Sequence, residues 1–372
     1  MSYLLVHDLS MRFVHSGDWQ IGMAAVQVGA VGDRVRAVRL DTCGRVAEVC
    51  RKESADFLVL AGDTFEHNGV SRKLVSDVID RLRSMPCPVF VIPGNHDPLQ
   101  PGSVWEHAGW VTAGNVHVLR TREPRLIPGG VLFPCPIFRK RSTEDPTAWI
   151  NAGDADGVRI GIAHGHAGET PNGDGSYPIA VDAPRRAGLD YLALGHWHST
   201  TMFGERMAYS GTHEQTSFGE RDSGNVLIVD IEAPGASPVI QTVRTGLLSW
   251  QQIDRTITMD GELADVARSL GRLPDAPNQL VDLTLNGILF QRDADEIERI
   301  QKACGKFLFA RINRAALRPA PEDEDWVTQL PVGAVREAAG RLRQIACSQG
   351  RDAEIATQAL LELYAIASEV AA

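Results

Sequence analysis

The sequence predicts an α/β protein built from two consecutive units. From Met11 onward, short apolar runs alternate with longer amphipathic stretches, a pattern typical of strands that alternate with helices. The alternation begins again near Leu247 and indicates a second, smaller α/β unit. A chain of 372 residues is long enough for both, because a domain commonly has about 150 residues.

The elements of the first unit follow from the period of their apolar residues. Apolar residues that recur every three or four positions predict helices, and short runs rich in Val, Ile and Phe predict buried strands. Gly, Pro and Asn dominate residues 165–178, which we expect to form a mobile surface loop. The predicted elements are a strand at 12–15, a helix at 33–52, a strand at 57–61, a helix at 72–84, strands at 89–92, 131–133, 159–163 and 191–194, and a closing strand pair at 226–231 and 239–243.

The second unit shows the same alternation over a shorter length. Residues 319–325 contain two prolines and an acidic run, which predict a linker, and two amphipathic helices are predicted beyond it. We therefore divide the chain into residues 11–246, 247–318 and 319–372. The predicted elements are a strand at 252–258, a helix at 262–270, a strand at 280–285, a helix at 294–304, a strand at 307–312, and helices at 333–346 and 353–370.

Composition excludes several classes of protein. Hydrophobic residues make up 44% and charged residues 23%, as in ordinary soluble proteins. No apolar run approaches the roughly 20 residues that span a bilayer, and the N-terminus lacks the pattern of a signal peptide, so we expect a cytoplasmic protein without membrane contact. The six cysteines form no CxxC pair, which argues against a zinc ribbon or a disulfide framework.

Charge alone does not identify a partner. The formal net charge of -10 argues weakly against a polyanionic partner, but net charge hides distribution, and divalent cations would offset carboxylates in a site. No GxxxxGK[ST] motif occurs in the sequence, so any dependence on ATP would come from a partner protein.

Five short polar motifs each follow a predicted strand, where open α/β sheets present ligand-binding groups. Carboxylate, amide and imidazole groups are ligands that suit Mn, Fe or Zn, and a bridging carboxylate can hold two cations about 3.5–4 Å apart. Each motif alone is a weak signal, whereas five in series predict a dinuclear metal site. The residues are Asp18 in HSGDWQ, Asp63 in AGDTFEH, Asn95, His96 and Asp97 in PGNHDP, His164 in IAHGH, and His196 and His198 in GHWH.

This series resembles the calcineurin-like metallophosphoesterase superfamily, whose pattern is DxH, GDxx, GNHD, a strand-end His and GHxH. The resemblance covers residues 11–243. It implies a two-sheet sandwich flanked by helices and two divalent ions, with Mn²⁺ expected. The ligands it implies for the first ion are Asp18, Asp63, His198 and position 20, and for the second ion Asp63, Asn95, His164 and His196.

The resemblance also implies roles for two residues of the GNHD motif. His96 is the expected acid that protonates the leaving oxygen, and Asp97 is expected to orient the His96 ring.

Position 20 departs from the superfamily pattern, because Gln20 stands where a histidine is usual. An amide oxygen can ligate a hard cation, but it is a poorer donor than imidazole to borderline metals. Three outcomes stay open: Gln20 ligates directly, it binds through a water molecule, or the first ion is held weakly. We expect activity to be retained, since the other ligand positions are intact.

Three features favour a DNA nuclease within the superfamily. The stretch AYSGTHEQTSFGERDSGNVLIVDI resembles the segment that follows GHxH in SbcD-type DNA repair nucleases. A second α/β unit follows, as the capping domain does in that family. Two terminal helices then resemble those that dock on the coiled-coil base of an SMC-like, SbcC-type ATPase. The resemblance therefore implies DNA as substrate, this ATPase as partner, and a homodimer.

Other interpretations stay open from sequence alone. The chain could be a stand-alone phosphodiesterase or phosphatase that acts on a small nucleotide or a phosphoprotein, or a DNA-binding module whose catalysis is weakened at Gln20. The terminal helices could pack on their own domain instead of a partner. Two basic clusters could be solvated faces or contacts to a phosphate backbone: Arg139, Lys140 and Arg141, and Arg185 with Arg186.

Overall fold

The structure is a computed structural model that describes residues 10–168, 175–321, 325–348 and 350–370. The chain divides into two compact units, one that runs to Leu248 and one that begins at Ser249. The second unit includes both predicted segments 247–318 and 319–372 almost entirely, and the boundary between them at residue 319 stays a prediction. Three sequence predictions lie outside the described residues: the chain before residue 10, the middle of the 165–178 loop, and the acidic residues 322–324.

The first unit contains two six-stranded sheets. In the first sheet, β1 to β4 are adjacent and parallel, and β11 and β12 add antiparallel strands beyond β1. In the second sheet, β6, β7, β8 and β10 are parallel, and β5 and β9 are antiparallel edge strands. The elements are β1 (Met11–Ser16), α1 (Gly32–Lys52), β2 (Phe57–Leu60), α2 (Arg72–Arg83), β3 (Val89–Val91), α3 (Gly109–Thr112), β4 (Val116–Val118), β5 (Arg125–Ile127), β6 (Gly130–Pro134), β7 (Val158–His164), α4 (Ala183–Ala187), β8 (Tyr191–Gly195), β9 (Thr201–Phe203), β10 (Met207–Tyr209), β11 (Asn225–Ile231) and β12 (Val239–Arg244).

Apolar side chains between the two sheets form one core, and further cores lie on their outer faces. Phe13 of β1 stacks on Phe57 of β2 at 4.9 Å and packs edge-on against Tyr191 of β8, so aromatic rings link the two sheets. Helices α1 and α2 cover the outer face of the first sheet. The two-sheet sandwich flanked by helices is therefore confirmed.

The sequence patterns do not predict β4, β5, β9 and β10, although they predict the central strands within one or two residues. Each of these four strands has only three residues. So short a run shows no clear alternation, and three of the four lie at a sheet edge, where tertiary pairing defines the strand.

The second unit contains a three-stranded parallel sheet with β14 in the centre. Helices α5 and α6 bury apolar residues against this sheet, as the alternating pattern predicts. The last strand begins at Phe309, two residues later than predicted, and continues to Pro319. The elements are β13 (Ser249–Ile257), α5 (Glu262–Gly271), β14 (Gln279–Leu289), α6 (Ala294–Cys304), β15 (Phe309–Pro319), α7 (Trp326–Gln329), α8 (Ala334–Ala346) and α9 (Arg351–Val370).

The terminal helices pack within the second unit. Val327 and Leu330 join Ala339 of α8 and Leu360 of α9 in one apolar cluster, and α9 also contacts β14 and β15. The helices thus pack against their own domain, and docking on a partner stays a prediction. Ile345, on α8, nevertheless stays 44% exposed. Among the described residues, no helix is long and apolar enough to cross a membrane.

Candidate metal centre

The polar motifs of the first unit meet at one end of the sandwich. The first sheet contributes the loops that follow β1, β2 and β3, which carry Asp18, Asp63 and Asn95. The second sheet contributes His164, the last residue of β7, and His196, which follows β8. Because parallel strands end at the same edge, chain segments far apart in sequence bring their ligand groups together.

Unusual backbone geometry holds two of these carboxylates. Asp18 and Asp63 have φ angles of 52° and 50°, in the left-handed region that residues with a Cβ seldom adopt. Such strained positions are common at functional sites. Gly94 permits the close approach of the next loop, because a Cβ on it would overlap the Asp63 carboxylate.

Asp63 lies at the centre of the site and is 2% exposed. One oxygen, Oδ1, accepts a hydrogen bond from the His96 backbone N–H at 2.8 Å. The other, Oδ2, accepts from Gln20 Nε2 at 3.0 Å and lies 3.4 Å from His164 Nε2. This position between the groups of both predicted ions suits a bridging carboxylate.

Oxygen and nitrogen atoms of Asn95, His164 and His196 lie close together beside Asp63. Asn95 Oδ1 lies 2.7 Å from His164 Nε2 and 3.1 Å from His196 Nδ1. His164 Nδ1 donates its proton to the Ala61 carbonyl at 2.9 Å, so Nε2 faces the carboxamide and carboxylate oxygens. A backbone carbonyl that fixes the tautomer in this way is the usual support of a metal-binding histidine.

The close, buried charged groups shift one another's pKa values. Burial raises the pKa of Asp18 to about 6, although His164 and His198 oppose that effect. Burial would also raise the pKa of Asp63, but the neighbouring His164 and His96 outweigh it and lower the value. Burial lowers the pKa of His164, but the carboxylates of Asp63 and Asp18 outweigh this effect and raise the pKa to about 9.

The donor set fits a divalent cation. Ligand atoms of Asp18, Asp63 and His164 all lie within 4.8 Å of one another, and the three residues are buried. Gln20 Oε1 is also buried, and within the described part of the chain it has no hydrogen-bond partner. An orphaned buried oxygen is costly, and a cation would satisfy it.

His198 is held by a carboxylate that sequence reasoning did not assign. Glu220 Oε1 lies 3.0 Å from His198 Nδ1, so Nδ1 carries the proton and Nε2 is left for a ligand. Burial would raise the pKa of Glu220, but the hydrogen bond from His198 lowers it to about 2. The Thr216 backbone N–H also donates to Glu220, at 2.9 Å. The FGE motif thus has a physical role, which is to orient His198.

Arg39 is a second residue that sequence reasoning missed. It is 1% exposed, and its guanidinium donates to the backbone carbonyls of Trp19, Asp18 and Glu214. It therefore ties α1 to the loop that carries Asp18. The available signal was a charged residue within the apolar stripe of a predicted helix, beside Val38.

Asp97 is expected to orient the His96 ring, but its hydrogen bonds are to backbone groups. Its carboxylate accepts from the Gly94 N–H at 2.7 Å and from the Phe65 N–H at 2.9 Å, so it fixes the backbone of two site loops. The His96 ring instead donates from Nδ1 to the Glu66 carbonyl at 3.0 Å. Asp97 therefore positions the loop rather than the ring, because both of its oxygens are occupied by backbone donors.

Two further histidines, His15 and His67, lie outside the donor set. His15 is buried between the sheets, where Nδ1 accepts from the Tyr191 hydroxyl at 3.0 Å and Nε2 donates to the Leu194 carbonyl at 3.1 Å. His67 is exposed, and its Nδ1 accepts from the Gly69 N–H at 3.0 Å. These contacts give both residues structural roles.

The sequence pattern of the calcineurin-like phosphoesterases matches residues 11–200, about half of the chain. The chain belongs to the calcineurin-like phosphoesterase family. The matched region ends two residues after His198 and includes the strands and loops that build the metal centre.

This phosphoesterase is similar to the uncharacterized metallophosphoesterase YhaO of Bacillus subtilis (strain 168), with 25% identity over 204 residues. The match covers 50% of this chain and 48% of YhaO, so the chain spans about half the length of that relative.

Among solved structures, TT1561 of Thermus thermophilus has a TM-score of 0.41 at 9% identity, covering 63% of this chain and 99% of that one. GAP50, the anchor in the inner membrane complex of Plasmodium, has a TM-score of 0.39 at 15% identity, covering 63% and 85%.

Proposed function

We propose that this phosphoesterase is a metal-dependent DNA nuclease, in which two divalent ions, Mn²⁺ by preference, support hydrolysis of phosphodiester bonds. The observation that carries the proposal is the convergence of Asn95, His164 and Asp63 at 2.7 and 3.4 Å, with Gln20 Oε1 orphaned beside them. Such a cluster of carboxylate, amide and imidazole donors suits Mn²⁺.

Each proposed ion has its own set of ligands. Asp63 would belong to both ions, Asp18, Gln20 and His198 to the first, and Asn95, His164 and His196 to the second. Bound divalent ions polarise a phosphate and activate water.

The protein itself supplies the proton for the leaving oxygen. The His96 Nδ1–H group donates to the Glu66 carbonyl at 3.0 Å, and the Glu66 carboxylate lies 3.8 Å from Nδ1. Nε2 is the ring nitrogen that Glu66 does not contact, and it is the proposed donor of the proton to the leaving oxygen.

DNA is the proposed substrate because of features outside the ligand set. The FGE motif at 218–220 and the α/β unit that follows resemble parts of SbcD-type nucleases. The exposed cations Arg139 and Lys140 offer contacts for a phosphate backbone. Arg185 and Arg186 are less suited to this role, since both pair with Asp182.

An SMC-like coiled-coil ATPase of the SbcC type is the proposed partner, and a homodimer the proposed assembly. The exposed apolar residues Ile345 of α8 and Ile355 and Ile366 of α9 support a docking role for the helical tail. Co-expression with such an ATPase should give a complex that Ile355→Asp and Ile366→Asp weaken. Unchanged binding by both variants would contradict this part of the proposal.

Two other functions would give different results in one assay. The protein is incubated with single- and double-stranded DNA, a small phosphodiester and a phosphomonoester, each with Mn²⁺ or with EDTA. The proposal expects nucleotide release from DNA that EDTA abolishes. Hydrolysis of the small esters without any action on DNA would indicate a stand-alone phosphodiesterase or phosphatase. Binding of DNA without cleavage under Mn²⁺, Mg²⁺, Fe²⁺ or Zn²⁺ would indicate a binding module weakened at Gln20.

A further inference from the structure

Residues 138–141, here called the basic segment, are anchored to the loop that carries a metal ligand. The Ile137 N–H, directly before the segment, donates to the Pro93 carbonyl at 3.1 Å, and the Leu99 N–H donates to the Ile137 carbonyl at 2.8 Å. Pro93 and Leu99 stand on either side of the GNHD motif that contains Asn95. The segment therefore begins beside the loop that carries Asn95.

The other end of the basic segment is anchored to the loop after His164. The Tyr177 hydroxyl donates to the Arg139 carbonyl at 2.6 Å, and the Tyr177 N–H donates to the Ser142 carbonyl at 2.8 Å. Tyr177 in turn accepts from the His166 N–H at 3.0 Å. Backbone hydrogen bonds thus hold the segment between the two loops that supply Asn95 and His164.

The side chains of the basic segment point to one kind of ligand. Phe138 is 40% exposed although it is a large apolar residue, and the Arg122 guanidinium lies 5.6 Å from its ring centroid. Arg139 and Lys140 follow it and are exposed. An exposed aromatic ring beside cations is the arrangement with which proteins bind single-stranded nucleic acids, because the ring stacks on a base and the cations contact phosphates.

We infer that the basic segment binds an unpaired stretch of the DNA substrate, with Phe138 stacked on a base and Arg139 and Lys140 on the flanking phosphates. This inference rests on the proposed nuclease function and adds a preference for a single-stranded or frayed end at the active site. Arg122 supports the ring from one side, and the base occupies the exposed side.

The test measures binding and cleavage separately. Fluorescence anisotropy in EDTA gives the affinity of Phe138→Ala, Phe138→Tyr and the double variant Arg139→Ala/Lys140→Ala for a labelled single-stranded oligonucleotide and a blunt duplex. Arg185→Ala is the control for loss of a surface cation away from the segment. Cleavage of DNA and of a small phosphodiester is then measured in Mn²⁺.

We expect Phe138→Ala to weaken single-strand binding by about 5- to 150-fold and Phe138→Tyr to restore it, with a smaller effect on the blunt duplex. The double variant should lower the salt dependence of binding, by about 0.7 in the logarithmic slope for each lost phosphate contact. Arg185→Ala should bind as the wild type does.

Single-strand affinity of Phe138→Ala within twofold of the wild type would overturn the inference. If the wild type cleaves DNA while Phe138→Ala is unaffected, only the inference fails and the nuclease proposal stands. If the wild type neither binds nor cleaves DNA but hydrolyses the small phosphodiester, both fail.

Discussion

Gln20 donates a hydrogen bond from Nε2 to Asp63 Oδ2 at 3.0 Å, while its own Oε1 is buried without a partner among the described residues. The amide therefore contacts the central carboxylate and keeps a buried oxygen that has no hydrogen-bond partner among the described residues. The proposed first ion would satisfy this oxygen.

Replacement of Gln20 should consequently change metal affinity. Gln20→His supplies a better donor and should tighten the weaker Mn²⁺ ion by about tenfold, whereas Gln20→Leu should weaken it by a similar factor. Isothermal titration with Mn²⁺ measures both. If Gln20→His changed neither stoichiometry nor activity, position 20 would not be a ligand of consequence.

Glu220 orients His198, so its charge should matter for metal binding as well. Glu220→Gln keeps the shape but weakens the contact with His198 Nδ1, and should lower Mn²⁺ affinity by about 10- to 100-fold. Glu205→Gln, at an exposed carboxylate, is the matched control. An affinity of Glu220→Gln equal to that of the control would show that His198 needs no such support.

Loss of His96 should slow the reaction most for substrates whose leaving group is a strong base. His96→Asn should slow DNA cleavage by about 10²- to 10⁴-fold, because an alkoxide needs a proton to leave. It should slow hydrolysis of bis(p-nitrophenyl) phosphate far less, since p-nitrophenolate leaves unprotonated. His67→Asn is the control at a nearby exposed histidine. Equal losses on both substrates would argue that His96 is not the acid.

Folding stability should fall in mild acid because of His15. Burial lowers the pKa of His15 to about 3 in the folded protein, whereas the pKa in the unfolded chain is 6.5. Between these two pH values His15 is protonated in the unfolded chain and neutral in the folded protein, which favours unfolding. Stability is thus lost as pH falls from 6.5 towards 3, by about 2 kcal/mol at pH 5.

Urea unfolding of the metal-free protein at pH 7 and pH 5 measures this loss. His15→Asn should lose about 2 kcal/mol less than the wild type between these two values. His67→Asn, at an exposed histidine, should behave as the wild type does. The same pH dependence in His15→Asn and the wild type would contradict the assignment.

The central strands and the ligand positions could be predicted because local signals determine them. Val89, Phe90 and Val91 form a short apolar run in front of GNHD, and such a run before a polar motif indicates a buried strand and its functional end. The strand ends then place Asp18 and His164 at one edge without any knowledge of tertiary contacts.

The supporting residues could not be predicted in this way, because their roles depend on long-range contacts. Arg39 binds the Glu214 carbonyl across 175 positions of sequence, and Glu220 meets His198 only after a loop turns back. The contacts of Asp97 could not be predicted for the same reason, since its neighbour in sequence is His96 but its donors are the backbones of Gly94 and Phe65. The spacing of motifs in the sequence indicates which side chains cluster, but the hydrogen bonds between individual atoms can be identified only from the fold.

The most direct test of the account is Mn²⁺-dependent release of nucleotides from DNA by the wild type and by Asp63→Asn. Asp63 accepts from His96 and Gln20 and lies between the two proposed ions, so the amide should disrupt both sites while keeping the shape. We predict DNA cleavage by the wild type in Mn²⁺ and a loss of at least about 10³-fold in Asp63→Asn, with circular dichroism used to check that the variant is folded. Cleavage by Asp63→Asn at the wild-type rate, or cleavage by the wild type in EDTA, would contradict it.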